Sequence, residues 1–218
     1  MMKRVLEPEI MDDEAQALAY AKADFSSSNQ TFVEMLLEDY GVMLRSVLDI
    51  GCGPGDIPIR LARAKPSITI TALDASEPMV RLAREAVRSA GLQRQIKVIK
   101  ARVPGLELGA GDYDAIVSKD LLHHLPEPAV LWEEIRRLAR KRTAVYVMDL
   151  FRPPTQRRAQ EIVESVSGGE SPLLKHDFYA SLRAAFTIDE IRKQLRQASL
   201  SLDVEQVSER HVLVKGLI

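Results

Sequence analysis

The sequence predicts an α/β fold built on a mostly parallel sheet, and three observations carry that expectation. Strand-like runs alternate with helix-like runs along most of the chain, three glycines stand at alternate positions after the first strand, and the last two strand-like runs are separated by only three residues. Alternation of this kind implies crossover units, with helices on both faces of the sheet. The final pair must be antiparallel, because a parallel return needs a crossover of about a dozen residues.

Composition sets the frame. The chain has 218 residues, 46% of them hydrophobic, which suits a single domain over 1–218 with a sizeable core. Lys plus Arg number 30 against 31 Asp plus Glu, so no general charge draws the protein to nucleic acid or to an anionic membrane. Cys52 is the single cysteine, which excludes an internal disulfide and a Cys-rich zinc site. Acids interrupt the N-terminus, and no run reaches the roughly 18 to 20 apolar residues of a membrane span. A cytoplasmic protein is expected.

The elements follow in order. Residues 1–45 read as an N-terminal helical extension. Strands are expected at 46–50, 68–73, 96–100, 113–118 and 143–150, each aliphatic or β-branched and bounded by Gly, Asp or Pro. Helices are expected between them at 57–64, 77–90 and 128–140. In the second, Met79, Val80, Leu82, Ala83, Ala86 and Val87 share one stripe of a 3.6-residue period, and Ser76 stands before Glu77-Pro78 as its N-cap. Residues 151–186 read as an insertion after the fifth strand that covers the active site. A Thr-capped helix over 187–198 and strands at 201–207 and 211–217 complete the chain.

The most informative segment is VLDIGCGPGDIPIRLA, from Val47 to Ala62. Here a buried strand runs into Gly51, Gly53 and Gly55 and then into a helix. Glycines there allow a tight turn and close approach of a ligand to the backbone, and the helix N-terminus adds free N–H groups. A dinucleotide fingerprint needs Gly at the sixth position of the motif, where this chain has Asp56. That disfavours a dehydrogenase.

This G-x-G-x-G loop, with Asp49 before it and ALDAS ending in Asp74 to Ser76 after it, resembles the class I S-adenosylmethionine-dependent methyltransferases of small-molecule type. The resemblance implies a Rossmann-like seven-stranded sheet of order 3-2-1-4-5-7-6, with the last added strand antiparallel, and S-adenosyl-L-methionine as cofactor. It implies that Asp74 accepts the ribose hydroxyls and that Asp49 reaches the cofactor's ammonium, a role that can coexist with holding the glycine loop through its N–H groups. Gly51, Cys52, Gly53 and Gly55 form the loop, with Cys52 a small packing residue. The family's Asp for adenine after the third strand is replaced here by Ala101-Arg102-Val103, so adenine contacts are expected from the backbone of Arg102 and Val103 and from Ala75 and Met79.

The segment after the fourth strand, SKDLLHHL, is expected beside the methyl group. The backbone of Lys119 and the side chain of Leu121 are candidate cofactor contacts, and His123 or His124 is the candidate general base, since imidazole titrates near neutrality. Tyr20, Phe25 and Asn29 are expected to form a lid that touches the cofactor. His176 and Tyr179, with Arg152, are the candidate acceptor pocket. No metal is expected, because no His, Cys or Asp cluster has ligand spacing.

The function expected is therefore methyl transfer to a small-molecule acceptor, with a homodimer left open and neither nucleic acid nor membrane as partner. The alternative is a non-catalytic protein that binds the cofactor or its product as a sensor or partner subunit. Charge placement agrees with a small acceptor: residues 1–50 carry ten acids against four bases, residues 131–160 carry eight bases against three acids, and both groups lie largely away from the expected site.

Overall fold

The computed structural model describes residues 2–7 and 12–218. Residues 1 and 8–11 of the expected N-terminal extension lie outside the described residues. Two helices, α1 (Glu14–Lys22) and α2 (Ser26–Tyr40), precede the sheet. Then come β1 (Ser46–Ile50), α3 (Asp56–Ala64), β2 (Thr69–Asp74), α4 (Glu77–Ser89), β3 (Ile96–Lys100), β4 (Ala115–Lys119), a 3-10 turn (Leu122–His124), α5 (Ala129–Leu138) and β5 (Ala144–Leu150). The chain ends with α6 (Gln156–Ser167), α7 (Pro172–Ala184), α8 (Ile188–Gln197), β6 (Asp203–Gln206) and β7 (His211–Leu217).

The seven strands form one sheet in the order β3-β2-β1-β4-β5-β7-β6. β1 to β5 pair in parallel, whereas β7 is antiparallel to both β5 and β6. The short link between β6 and β7 forces the second joint, and the antiparallel β7 then closes the sheet against β5.

Strand alternation builds the two faces. Val47 packs into the layer beneath α2, α3 and α4, while its neighbour Leu48 packs into the layer with α5 and α8. Every residue of β5 is buried, as befits a central strand covered on both sides. Each such aliphatic side chain contributes about 1.5–3 kcal/mol from burial. Trp132 of α5 is fully buried and satisfies its indole N–H at Gln194 of α8, 2.9 Å away.

The 151–186 segment makes α6 and α7, which enclose a third, smaller apolar cluster of Met2, Leu150, Ala159, Ile162, Val163, Leu182 and Ala185. Residues 2–7 run across it as a strap. Met2 N–H donates to Pro154 O at 2.9 Å and Val5 N–H to Arg183 O at 3.1 Å. The Arg4 guanidinium donates to the carbonyls of His123 and Leu125 at 3.1 and 3.0 Å. The extension is thus partly helix and partly an extended strap. Among the described residues no helix is long and apolar enough to cross a membrane.

Candidate active site

β1 delivers the glycine loop to the carboxyl edge of the sheet. Gly51, Gly53 and Gly55 have φ of +82°, +52° and +90°, a backbone region that favours glycine. A Cβ on Gly51 would lie 3.0 Å from the Leu121 side chain, and one on Gly55 would lie 3.2 Å from the Ala83 backbone in α4. A Cβ on Gly53 would meet nothing within 4 Å. The outer two glycines therefore allow close packing, and the middle one faces open space.

Asp74 braces this loop. Its Oδ2 accepts from Gly53 N–H at 2.8 Å and its Oδ1 from Ser76 N–H at 2.9 Å, while Ser76 Oγ caps α4 by accepting from Met79 N–H at 3.3 Å. The loop-holding part suggested for Asp49 thus falls to Asp74. Asp49 is 3% exposed and its Oδ2 has no hydrogen-bond partner. Burial, together with the nearby charge of Asp74, pushes its carboxyl up to about 8.

Above the loop lies a cleft of about 830 Å³, counting its open mouth. Ala75, Met79, Val103 and Leu106 give one end an apolar wall beside Arg102. Lys119, Asp120, Leu121, His124 and Leu125 line the other end, and Tyr20 of α1 lies against it from outside the sheet. Asp120 has φ of +56° and is ion-paired with Lys119. Burial alone would raise its carboxyl, but the Lys119 ammonium outweighs that and holds it at about 2.

The two histidines separate. His123 is 3% exposed, with Nδ1 2.6 Å from Asp149 Oδ1 and Nε2 3.3 Å from Glu7 Oε1. Burial favours its neutral form, yet the Asp149 carboxylate overrides this and raises it to about 9. His124 lines the cleft, with Nδ1 3.3 Å from the same Glu7 oxygen. Of the two candidate bases, only His124 borders the cleft. Asp149 also accepts from Leu122 N–H at 2.6 Å and so fixes the 3-10 turn that carries both rings.

Several expected site residues lie elsewhere. Phe25 stands behind Tyr20, with ring centroids 4.7 Å apart, and Cys52 is buried in the core beneath the loop. Asn29 donates to Asp56 at 2.8 Å and does not line the cleft. His176 and Tyr179 line a separate depression with Gln160 and Lys175, because α7 turns them towards α6. The buried Arg152 spends its guanidinium on Met2 O, Ala185 O and Glu190 Oε1, at 2.9, 2.6 and 2.7 Å. These geometries correct the expected acceptor pocket of His176, Tyr179 and Arg152 and the expected cofactor contact of Asn29.

Leu106, Asp120 and Leu125 line the cleft without having been singled out in the sequence, and Ser76, expected as an N-cap, lines it too. Leu106 and Leu125 come from irregular segments with no period to read. For Asp120, its position directly after a strand end was the available signal.

A family model described as a methyltransferase domain matches residues 47–142. The match takes in 96 of the 218 residues, and that region is similar to methyltransferase domains. The chain is 33% identical over 113 residues to a ubiquinone biosynthesis O-methyltransferase of Bordetella parapertussis, covering 50% of this chain and 44% of the relative. It is 32% identical over 123 residues to a trans-aconitate 2-methyltransferase of Mycolicibacterium gilvum, covering 56% and 45%. The match thus spans about half the length of these curated relatives. A SAM-dependent methyltransferase from Aquifex aeolicus shares the fold, with a TM-score of 0.70, 22% identity and coverage of 94% of this chain and 98% of that one. The matched region, 47–142, holds the glycine loop, Asp74 and His124, whereas Tyr20 and Glu7 lie outside it.

Proposed function

We propose that this chain binds S-adenosyl-L-methionine in the cleft and transfers its methyl group to a small-molecule acceptor. The observation that carries the reading is the orphaned, buried Oδ2 of Asp49 beneath a glycine loop whose middle residue opens onto the cleft. A buried carboxylate oxygen without a partner is costly unless a donor arrives, and an amino acid's ammonium is such a donor. The rest of the cleft suits the same molecule. Asp74 stands at the end of β2, where it can accept ribose hydroxyls, and Ala75, Met79, Val103 and Leu106 offer apolar walls to an adenine ring.

When bound, the cofactor supplies a methyl group already activated on a sulfonium. The chain's own task is then alignment and exclusion of water. Gly51 and Gly53 let the backbone come close, Leu121 and Leu125 make the inner end apolar, and Tyr20 covers the mouth as part of a lid formed by α1 and α2. The acceptor enters at the His124 end. Similarity to a ubiquinone biosynthesis O-methyltransferase supports an oxygen nucleophile there.

Isothermal titration with S-adenosylmethionine and S-adenosylhomocysteine tests the reading, followed by methyl transfer from labelled cofactor to a panel of phenols and carboxylic acids. The expected result is one cofactor per chain and label in an oxygen acceptor. Failure to bind either form of the cofactor would overturn it.

A further inference from the structure

Glu7, His123 and His124 converge from two distant parts of the chain. Oε1 of Glu7 lies 3.3 Å from His123 Nε2 and 3.3 Å from His124 Nδ1, and the three donor atoms all lie within 4.8 Å of one another. Close approach alone would mean little. The Glu7 side chain, however, is only 10% exposed, and its Oε1 makes no hydrogen bond, so neither imidazole approach satisfies it. The other Glu7 oxygen accepts from Ser181 Oγ at 3.2 Å, which leaves Oε1 turned towards the two rings.

The surroundings complete the pattern. Asp149 Oδ1 lies 2.6 Å from Nδ1 of His123, on the far side of the ring from Glu7. A carboxylate behind a histidine fixes the ring and holds the proton on the near nitrogen, so that an ion displacing the proton from the other nitrogen meets an oriented lone pair. The two distances from Glu7 agree as well. A tetrahedral zinc ion with bonds of about 2.0–2.1 Å holds neighbouring ligand atoms about 3.3–3.4 Å apart. An ion pair between Glu7 and a protonated His123 would account for one of the two approaches, but not for a second imidazole at the same distance.

We propose that Glu7 Oε1, His123 Nε2 and His124 Nδ1 form a site for Zn²⁺ or a similar divalent ion of the first transition row, with Asp149 as the outer partner of His123. Two imidazole nitrogens and one carboxylate oxygen suit such ions, and three protein ligands leave a further position open. Of the three ligands His124 lines the cleft, and the proposal sets the open position on that side. Within the methyl-transfer reading, on which this role rests, the ion holds an acceptor hydroxyl and lowers its pKa, and His124 acts as a ligand in place of a general base. Metal binding itself stands apart from that reading. Ligand spacing in the sequence could not show the site, because Glu7 lies more than a hundred residues before the histidines.

The test uses the full chain, stripped with a chelator and titrated with Zn²⁺ by calorimetry and with Co²⁺ by visible absorption. One ion per chain is expected, with Co²⁺ giving the d–d bands of a four- or five-coordinate site. Glu7→Gln and His124→Ala should each weaken Zn²⁺ binding at least tenfold, while His176→Ala, in the separate depression, leaves it unchanged. Far-UV circular dichroism and thermal melting of each variant report that it is folded. Absence of stoichiometric binding by the unaltered chain overturns the proposal, as does binding that survives both Glu7→Gln and His124→Ala. A chain that takes up zinc but not S-adenosylhomocysteine leaves the metal site standing and overturns the methyl-transfer reading instead.

Discussion

Asp74 and Gly53, 21 residues apart in sequence, are joined by a 2.8 Å hydrogen bond from the glycine N–H to the carboxylate. The bond ties the end of β2 to the middle of the glycine loop, so one carboxylate both shapes the loop and faces the cleft. Asp74→Asn keeps an acceptor for Ser76 but can place an amide group against the Gly53 N–H. A stability loss of about 1–3 kcal/mol is expected from the disturbed bond. Cofactor affinity should fall at least tenfold. Thermal melting and calorimetry of S-adenosylhomocysteine binding check the two effects separately.

Asp49 gives a pH signature. Its pKa is near 8 in the folded chain and about 3.9 when unfolded, so between those values the folded state holds a proton that the unfolded state has released. Stability contributed by this group is therefore lost as pH rises from about 4 to 8, at up to about 1.4 kcal/mol per pH unit. Asp49→Asn should flatten that slope in denaturant titrations from pH 5 to 7.5 and weaken cofactor binding at the same time. In the unaltered chain affinity should rise with pH over this window, since an ammonium needs the ionised carboxylate.

The glycines should separate packing from binding. Gly55→Ala forces a Cβ to 3.2 Å from the Ala83 backbone at φ of +90°, and a loss of about 2–3 kcal/mol is expected from strain and displaced packing. Gly53→Ala meets nothing within 4 Å, so only the cost of its φ, about 1 kcal/mol, is expected in melting. Its methyl group projects where the cofactor lies in the proposed function. Cofactor affinity should accordingly drop more for Gly53→Ala than its melting does.

The lid can be tested at two positions on α1 and α2. Tyr20 lines the cleft, whereas Asn29 is bonded to Asp56. Tyr20→Ala should weaken S-adenosylhomocysteine binding about five- to tenfold, and Asn29→Ala should leave it within twofold. Equal effects in calorimetry would remove the lid from the proposed function.

Arg152 is expected to matter for folding alone. Arg152→Met leaves Met2 O, Ala185 O and Glu190 without their partner, and a loss of about 2–3 kcal/mol is expected in chemical denaturation. Cofactor affinity of the folded variant should be unchanged.

Some of this protein was legible in its sequence and some was not, and the division follows how far apart the interacting residues are. The strands at 46–50, 96–100 and 211–217 have the bounds expected of them, because alternation, flanking turns and the N-cap at Ser76 are local signals. The glycine loop and Asp74 were readable for the same reason, each standing at the end of a recognisable strand. The bracing role of Asp74 was less readable, since Asp49 and Asp74 differ in burial and not in type. His123 and His124 are neighbours with the same local pattern, yet the 3-10 turn sends one ring into the core against Asp149 and the other to the cleft.

The sequence alone determined a parallel α/β sheet that ends in a hairpin, with a glycine loop at its carboxyl edge, because periodicity and backbone permissiveness act within a few residues. Only the tertiary structure decided that Arg152, His176 and Tyr179 lie off the cleft and that Glu7 reaches the two histidines. Helix rotation and the path of a terminal strap are set by packing across the whole chain, and no local spacing encodes them.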